Sequence, residues 1–316
     1  MPHRDVIHTI AFYNIENLFD TINDPMRNDD DFLPTSRKRW TKKRYQNKLR
    51  KIGSVISNIG PYENNEAPAI IGLAEVENKR VLSDLINSKH LNDEDYSFVH
   101  YDSSDERGID VALLYKSNLF KLEYSETYSI YLETDEGVRD YTRDILLVKG
   151  ELYGESLTVL INHWSSRTEG EKETEHKRIA SAEKVLSIID SIKSKNENER
   201  IIVMGDFNDN PNNKSLELIE EDGGLFNPFK TVWSQDVGSL SHNFEWNLFD
   251  QILFSTNFFN TKESQLTFHK ADVYNIKTLT QYHGKYSGQP FRTYIGKKYK
   301  GGYSDHFPVF ITLRNT

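Results

Sequence analysis

The sequence predicts an α+β chain, with mixed β-sheets stacked as a sandwich and helices outside, and three observations predict it. Apolar stretches of strand length outnumber helical ones. They come in consecutive runs, whereas a doubly wound parallel sheet would alternate them one for one with helices. The helical stretches are one-sided: within residues 37–60, Tyr45, Leu49, Ile52, Ile56 and Ile59 recur at spacings of four, three, four and three.

In chain order, residues 6–13 read as the first strand, followed by a polar loop containing NDPMRNDDDF. The helix over 37–60 comes next, then a short buried strand at 69–74 (AIIGLA) and a helix at 79–87. Strands are expected at 97–101, 109–115, 144–152 and 157–162. A long helix over 173–192 places Ile179, Ala182, Val185, Leu186 and Ile189 on one side. Strand 201–205, helix 214–220 and strands at 250–255, 265–269 and 307–313 complete the series. The run KSKNENER at 193–200 reads as a solvated helix end and loop. With no repeat, linker or break in composition, residues 1–316 are expected to form a single domain.

The composition sets bounds. With 37% hydrophobic and 12% aromatic residues, the chain has material for a large core. Lys and Arg number 39 against 48 Asp and Glu, a net charge of -9, so a polyanion would have to be met by a local patch. The absence of cysteine excludes disulfides, thiolate metal sites and a Cys nucleophile. The N-terminal MPHRDVIHTIAF lacks the apolar core and cleavage site of a signal peptide. Nowhere do about 18 apolar residues run together, so a soluble, cytoplasmic protein without a membrane partner is expected.

Five polar clusters each end an apolar strand: FYNIEN (12–17), GLAEVEN (72–78), INHWSSR (161–167), VMGDFNDNP (203–211) and YSDHFPV (303–309). A sixth, NLFDQILFS (247–255), carries an acid at a strand start. Singly, each has a plain explanation. Asn14 or Asp250 suits a turn, His163 a structural hydrogen bond, and GDFND a helix cap through Asp209 or Asn210. Jointly they do not, because turn chemistry would use Ser, Thr or Gly as readily as acids, amides and imidazoles. Polar groups gathered at strand ends mark a candidate site.

The ordered set, in the contexts YNIEN, GLAEVEN, NHWSSR, GDFND, FDQILFS and SDHFPV, closely resembles the exonuclease, endonuclease and phosphatase superfamily, the deoxyribonuclease-I-like fold. The resemblance spans residues 12–310. It implies a four-layer αββα sandwich, two packed mixed β-sheets flanked by helices, with the site at one rim.

It also implies roles. Asn14, Glu75 and Asp305, oxygen ligands all, would hold Mg2+ or Mn2+, with Glu16 joining through water. Asp206 would activate the water, with the Asn208 amide holding phosphate or water beside it. His306 would donate to a non-bridging phosphoryl oxygen. Asp250 would orient an imidazole or a second metal, and His163 would serve as general acid or as a further transition-state donor. The expected activity is metal-dependent hydrolysis of phosphodiesters by a nuclease acting on DNA or RNA, as a monomer. The alternatives are a phosphatase or phosphodiesterase of a small-molecule, nucleotide or lipid phosphate ester, and a non-catalytic binding module.

Other segments allow two readings each. Arg107 and Arg167 are either phosphate clamps, with Asp110 orienting one of them, or members of structural salt bridges. The basic run RKRWTKKRYQNKLRK (37–51) is either a contact for a nucleic-acid backbone or a solvated helix face. In the loop at 284–303, Phe291, Arg292, Tyr294 and Tyr299 are placed to stack on bases or pair with phosphate.

Overall fold

The computed structural model describes residues 6–61, 66–134, 136–260 and 266–315. Residues 1–5, part of the segment read for a signal peptide, lie outside these, as do Gln265 of the expected 265–269 strand and residue 316 of the expected domain.

Twelve strands build two six-stranded sheets. The first sheet holds β1 (Val6–Leu18), β2 (Ile70–Val76), β3 (Tyr96–His100) and β4 (Asp110–Lys116). The second holds β5 (Phe120–Tyr128), β6 (Ile145–Leu152), β7 (Glu155–His163), β8 (Ile201–Asp206), β9 (Leu225–Phe226) and β10 (Asp250–Ser255). The chain then returns to the first sheet with β11 (Leu266–Val273) and β12 (Val309–Asn315). The orders are β11-β12-β1-β2-β4-β3 and β9-β10-β8-β7-β6-β5. Each sheet has a parallel pair at its centre, β1 with β2 and β7 with β8, and antiparallel neighbours outside.

Alternation along the strands separates two cores. In β6 and β8, Leu146, Val148, Ile202 and Met204 face the first sheet, whereas Ile145, Leu147, Ile201 and Val203 face helices. Burial on both faces explains why β8 reads as the unbroken apolar run IIVM. The sheets approach closely at Gly72, where an added Cβ would stand 2.6 Å from the Met204 Sδ. Helices α1 (Lys42–Ile56) and α2 (Lys79–Ile86) bury Leu49, Ile52, Val81 and Leu85 in the core that includes the first sheet. On the other side, α3 (Glu175–Lys195) and α4 (Lys214–Glu221) pack Val185, Ile189, Leu216 and Ile219 against Leu160, Val203 and Leu253 of the second sheet. The result is the four-layer αββα sandwich.

Several elements differ from expectation, three of them instructively. The first strand runs on to Leu18, because an irregularity in its pairing with β2 between Asn14 and Leu18 absorbs the polar residues without ending the strand. Strand β5 was not expected: it is an edge strand with one face largely in solvent, so its sequence FKLEYSETY lacks a clear apolar signal. The last strand begins at Val309, after Pro308, which has no N–H for the ladder. Among the described residues no helix is long and apolar enough to cross a membrane.

Candidate active site

Strand direction gathers the polar clusters at one rim. The central parallel pairs present their C-terminal ends there, and their antiparallel neighbours their N-terminal ends. In the first sheet Phe12 is level with Gly72 and Val309, so Asn14 and Glu75 lie just beyond, and Asp305 and His306 just before. In the second sheet Asp206 is level with His163 and Asp250. A cavity of about 580 Å³ opens between the two ends, and Asn14, Glu75, Arg107, His163, Arg167, Asp206, Asn208, Asp305 and His306 all line it.

The backbone is bent to achieve this. Glu16, Asn17, Glu75 and Asn208 all have left-handed φ, between 51° and 66°, which a non-glycine residue adopts at a cost. Glu75 sits in the irregularity between Ala74 and Val76 in the β2–β4 pairing, which turns its carboxylate toward the cavity.

Asp206 is the hub on the second sheet. It is buried, its Oδ1 accepts from the Asn208 N–H at 3.0 Å, and its Oδ2 accepts from Asn14 Nδ2 at 3.0 Å. Burial, with the nearby Asp250 charge adding, pushes its carboxyl up to about 6. The Asn208 Nδ2 donates one of its two hydrogens to the Trp164 carbonyl, and the side chain lines the cavity.

His306 Nδ1 is 2.6 Å from Asp250 Oδ2, and its Nε2 lies 3.9 Å from Asp206 Oδ2. Burial opposes protonation of this ring, yet Asp250, Asp206 and Asp305 together hold it well above the ordinary imidazole value. Asp250 itself is fully buried behind His306 and does not line the cavity. A direct hydrogen bond to the imidazole is therefore its observed contact. His163 Nε2 stands 3.8 Å from the same Asp206 oxygen. Burial, with the Arg143, Arg107 and His306 charges, holds His163 well below its usual value, so it is neutral near pH 7. A neutral ring keeps one N–H to donate, which suits the transition-state donor role better than that of general acid.

On the first sheet, Glu75 Oε2 accepts from the Asn17 N–H at 2.8 Å, and Arg107 Nη2 donates to Asn17 Oδ1 at 2.8 Å while standing 4.0 Å from Glu75 Oε1. Asp305 pairs with Arg292 through Oδ2. Although burial works against it, the charges of His306 and Arg292 keep Asp305 below the ordinary carboxylate range. Asn14, Glu75 and Asp305 thus bring oxygen atoms, and neither thiolate nor imidazole, to one wall. That donor set fits a hard divalent cation.

The other expected residues fall elsewhere. Glu16 lies behind the wall, accepting from the Thr293 N–H at 2.6 Å and facing the Lys48 Nζ at 3.7 Å. Asp110 lines a different cavity, and Arg292 a smaller one of about 260 Å³ that adjoins the first through Leu240, His242 and Asp305. Arg167 reaches the cavity, but its guanidinium is held by the Asn208 carbonyl, Asp209, Asn213 and Glu171, which is the structural salt-bridge outcome.

The basic run at 37–51 divides: Arg37, Arg39, Lys42, Lys43 and Arg50 are exposed, whereas Arg44, Lys48 and Lys51 are engaged in packing. Lys48 is buried on Thr293 Oγ1 and the Tyr303 carbonyl, Lys51 donates to the Gly301 carbonyl, and Arg44 lies over the Tyr299 ring. In the 284–303 loop, Tyr294 is buried and Phe291 packs beside Lys51, so these rings stack within the protein.

Two groups had no sequence signal. Arg143, whose Nη2 donates to the Trp164 carbonyl and whose Nη1 pairs with Asp105 at 3.0 Å, joins the cavity wall. Phe244, at the tip of the ribbon formed by Leu240–His242 and Glu245–Asn247, has φ 68° and stacks on Tyr286 with ring centroids 5.6 Å apart and 4° between planes. Lys285 Nζ is 4.8 Å from the Tyr286 centroid. Both rings line the adjoining cavity.

The family model described as the endonuclease/exonuclease/phosphatase family matches residues 9–315. No curated protein matches the sequence. Among solved structures, an endonuclease/exonuclease/phosphatase family protein from Bacteroides thetaiotaomicron is similar at 17% identity, covering 99% of this chain and 99% of that one, with a TM-score of 0.61. A mannosyl-6-phosphatase from the same organism is similar at 17% identity, over 97% and 99% of the two chains, with a TM-score of 0.58. D. rerio TDP2 complexed with a single-strand DNA product shares 14% identity over 99% and 100%, with a TM-score of 0.56. At such identities these structures speak to the fold. The family match runs almost the whole length of a chain whose strand ends meet at one polar rim, and the chain belongs to the endonuclease/exonuclease/phosphatase family of phosphoesterases.

Proposed function

We propose that the chain is a divalent-metal-dependent phosphodiester hydrolase acting on nucleic acid, by attack of water on phosphorus. Enzymes of this family typically depend on a divalent metal. The observation that carries the reading is the buried chain Asn14, Asp206, His306 and Asp250, with its links across one cavity. Asp206, with both oxygens held and its carboxyl near about 6, is ionised at neutral pH yet basic enough to take a proton from water. His306, kept charged by Asp250, donates to a phosphoryl oxygen as negative charge develops there, and neutral His163 donates beside it. Asn14, Glu75 and Asp305 would hold Mg2+ or Mn2+. When bound, the ion neutralises phosphate charge and stabilises the leaving oxygen. The exposed Phe244 and Tyr286 rings, with Lys285 and Arg292 near them, offer a base the stacking surface that the 37–51 helix does not.

A second reading, a phosphatase of a small soluble ester, is favoured by the absorption of Arg44, Lys48 and Lys51 into packing and by the net charge of -9. One assay separates the two. The purified protein, with Mg2+ or with chelator, is offered single-stranded DNA, single-stranded RNA, bis-p-nitrophenyl phosphate and a hexose 6-phosphate. Metal-dependent cleavage of a nucleic acid that Asp206→Asn abolishes is the expected result. Faster turnover of the hexose phosphate than of any diester would transfer the assignment to the phosphatase reading, and no turnover of any substrate would overturn both.

A further inference from the structure

A second cavity, of about 510 Å³, lies beside the first, and the same segments wall both. Glu75 and Arg107 belong to the catalytic cavity, whereas Glu77, Gly108 and Asp110 belong to this one. Its wall is rich in carboxylates: Asp20, Asp24, Glu77, Asp102 and Asp110. Crowded acids alone would be unremarkable on a protein surface.

The side chain that changes this is His100, the last residue of β3. It is 3% exposed, and neither ring nitrogen has a hydrogen-bond partner among the described residues. Its Nδ1 is 3.9 Å from Asp102 Oδ1, beyond hydrogen-bond reach. A buried imidazole with nothing to bond is costly, and native structures seldom leave one without a reason. Here one atom each from His100, Asp102 and Asp110 lie within 4.8 Å of one another.

Ligand atoms bound to one ion at about 2.0–2.2 Å sit roughly 3–3.5 Å apart. The three must draw together to reach that spacing, and Asp102, whose side chain is 66% exposed on the β3–β4 loop and whose Oδ1 stands 3.9 Å from His100 Nδ1, is free to move inward. A nitrogen with two carboxylates suits a borderline transition metal better than Mg2+ or Ca2+, which prefer oxygen alone.

We propose that His100, Asp102 and Asp110 bind a transition-metal dication, Zn2+ or one of its class, at a site separate from the catalytic cavity. The ion would brace the β3–β4 loop. That loop carries Asp105, which pairs with Arg143, and Arg107, which donates to Asn17 beside Glu75, so the brace supports the wall of the catalytic cavity from behind.

The test uses the full chain carrying Glu75→Gln, Asp305→Asn and His306→Ala, so that the proposed catalytic donors and the neighbouring Asp206, Asp250 and His306 group, whose ligand atoms also lie within 4.8 Å of one another, are weakened. After chelator treatment the protein is titrated with Co2+, a visible probe for Zn2+ sites, and with Zn2+. Uptake of one ion per chain is expected, with the absorption of a site containing nitrogen and a rise in melting temperature. Adding Asp102→Ala, at an exposed position that leaves the fold in place, should weaken uptake at least tenfold and remove the rise, and His100→Asn should do the same. Absence of uptake in the starting variant, or uptake that survives Asp102→Ala in a folded protein, overturns the proposal.

Discussion

Asn14 and Asp206 meet across the two sheets: the Asn14 Nδ2 donates to Asp206 Oδ2 at 3.0 Å, joining the central strand of one sheet to the central strand of the other. With the Asn208 N–H on Oδ1, both carboxylate oxygens are held, and the acid that is proposed to accept the water's proton has a fixed direction. Its carboxyl is pushed up to about 6, chiefly by burial. Protonated Asp206 cannot act as a base, so kcat/KM is expected to fall as pH drops through about 6. A pH profile on a small phosphodiester checks this, and an acid limb more than about 1 unit away would remove Asp206 from the role.

Asp250→Asn tests the partner imidazole. Without the carboxylate at 2.6 Å, His306 loses the main attraction that keeps it charged against burial, so it deprotonates at lower pH. The alkaline limb of the profile should move down, and kcat near neutrality should drop about a hundredfold. An unchanged alkaline limb would mean that His306 does not act as a cation.

Lys48 is buried with its amine on Thr293 Oγ1 and the Tyr303 carbonyl, 3.7 Å from Glu16. Burial, with the Asp305 charge adding, pushes the Glu16 carboxyl up to about 7, and Lys48 acts against that rise. Lys48→Met leaves Glu16 buried without its cation and should cost about 3 kcal/mol in denaturant unfolding. Combined with Glu16→Gln, the loss should be smaller than the two single losses together. Strict additivity would show that the two groups do not interact.

Phe244→Ala removes half of the exposed stacked pair. On single-stranded nucleic acid KM should rise about tenfold, the scale of one base stacked on one ring, while bis-p-nitrophenyl phosphate is cleaved as before. Equal losses on both substrates would assign the ring to holding the ribbon in place.

His8 is buried against the Tyr153 ring, and burial lowers its pKa from 6.5 to about 4. The unfolded chain therefore binds the proton first. The stability contributed by neutral His8 is whole above pH 6.5 and is lost as pH falls from there through about 4. Thermal unfolding across that window should show a shallower decline for His8→Phe than for the wild type.

Most of the rim was legible because each strand end carries its own signature. YNIEN, GLAEVEN and SDHFPV interrupt apolar runs, and strand direction alone brings them to one edge. What sequence could not show was which of two nearby faces a side chain takes. Asp110 and Glu77 differ from Arg107 and Glu75 by only two or three positions, yet they belong to another cavity. The cations at 37–51 resemble a solvated face until Lys48 is seen to occupy the same buried row as Leu49 and Ile52. Phe244 escaped notice because a two-residue hairpin tip usually carries Asn or Gly, and a bulky ring with left-handed φ is recognisable only from backbone geometry.

The pairing of β1 with β12 joins the first and last described strands, from Val6 opposite Asn315 to Phe12 opposite Val309. On the ribosome, β1 emerges long before that neighbour and waits for it while all the intervening strands are made. Until then it presents an open apolar edge, the kind of surface on which nascent chains associate wrongly. Asp305 and His306 arrive just ahead of the missing strand. Hydrolysis should therefore be silent in translation products that stop before β12, and the active rim and the closed first sheet should be acquired together.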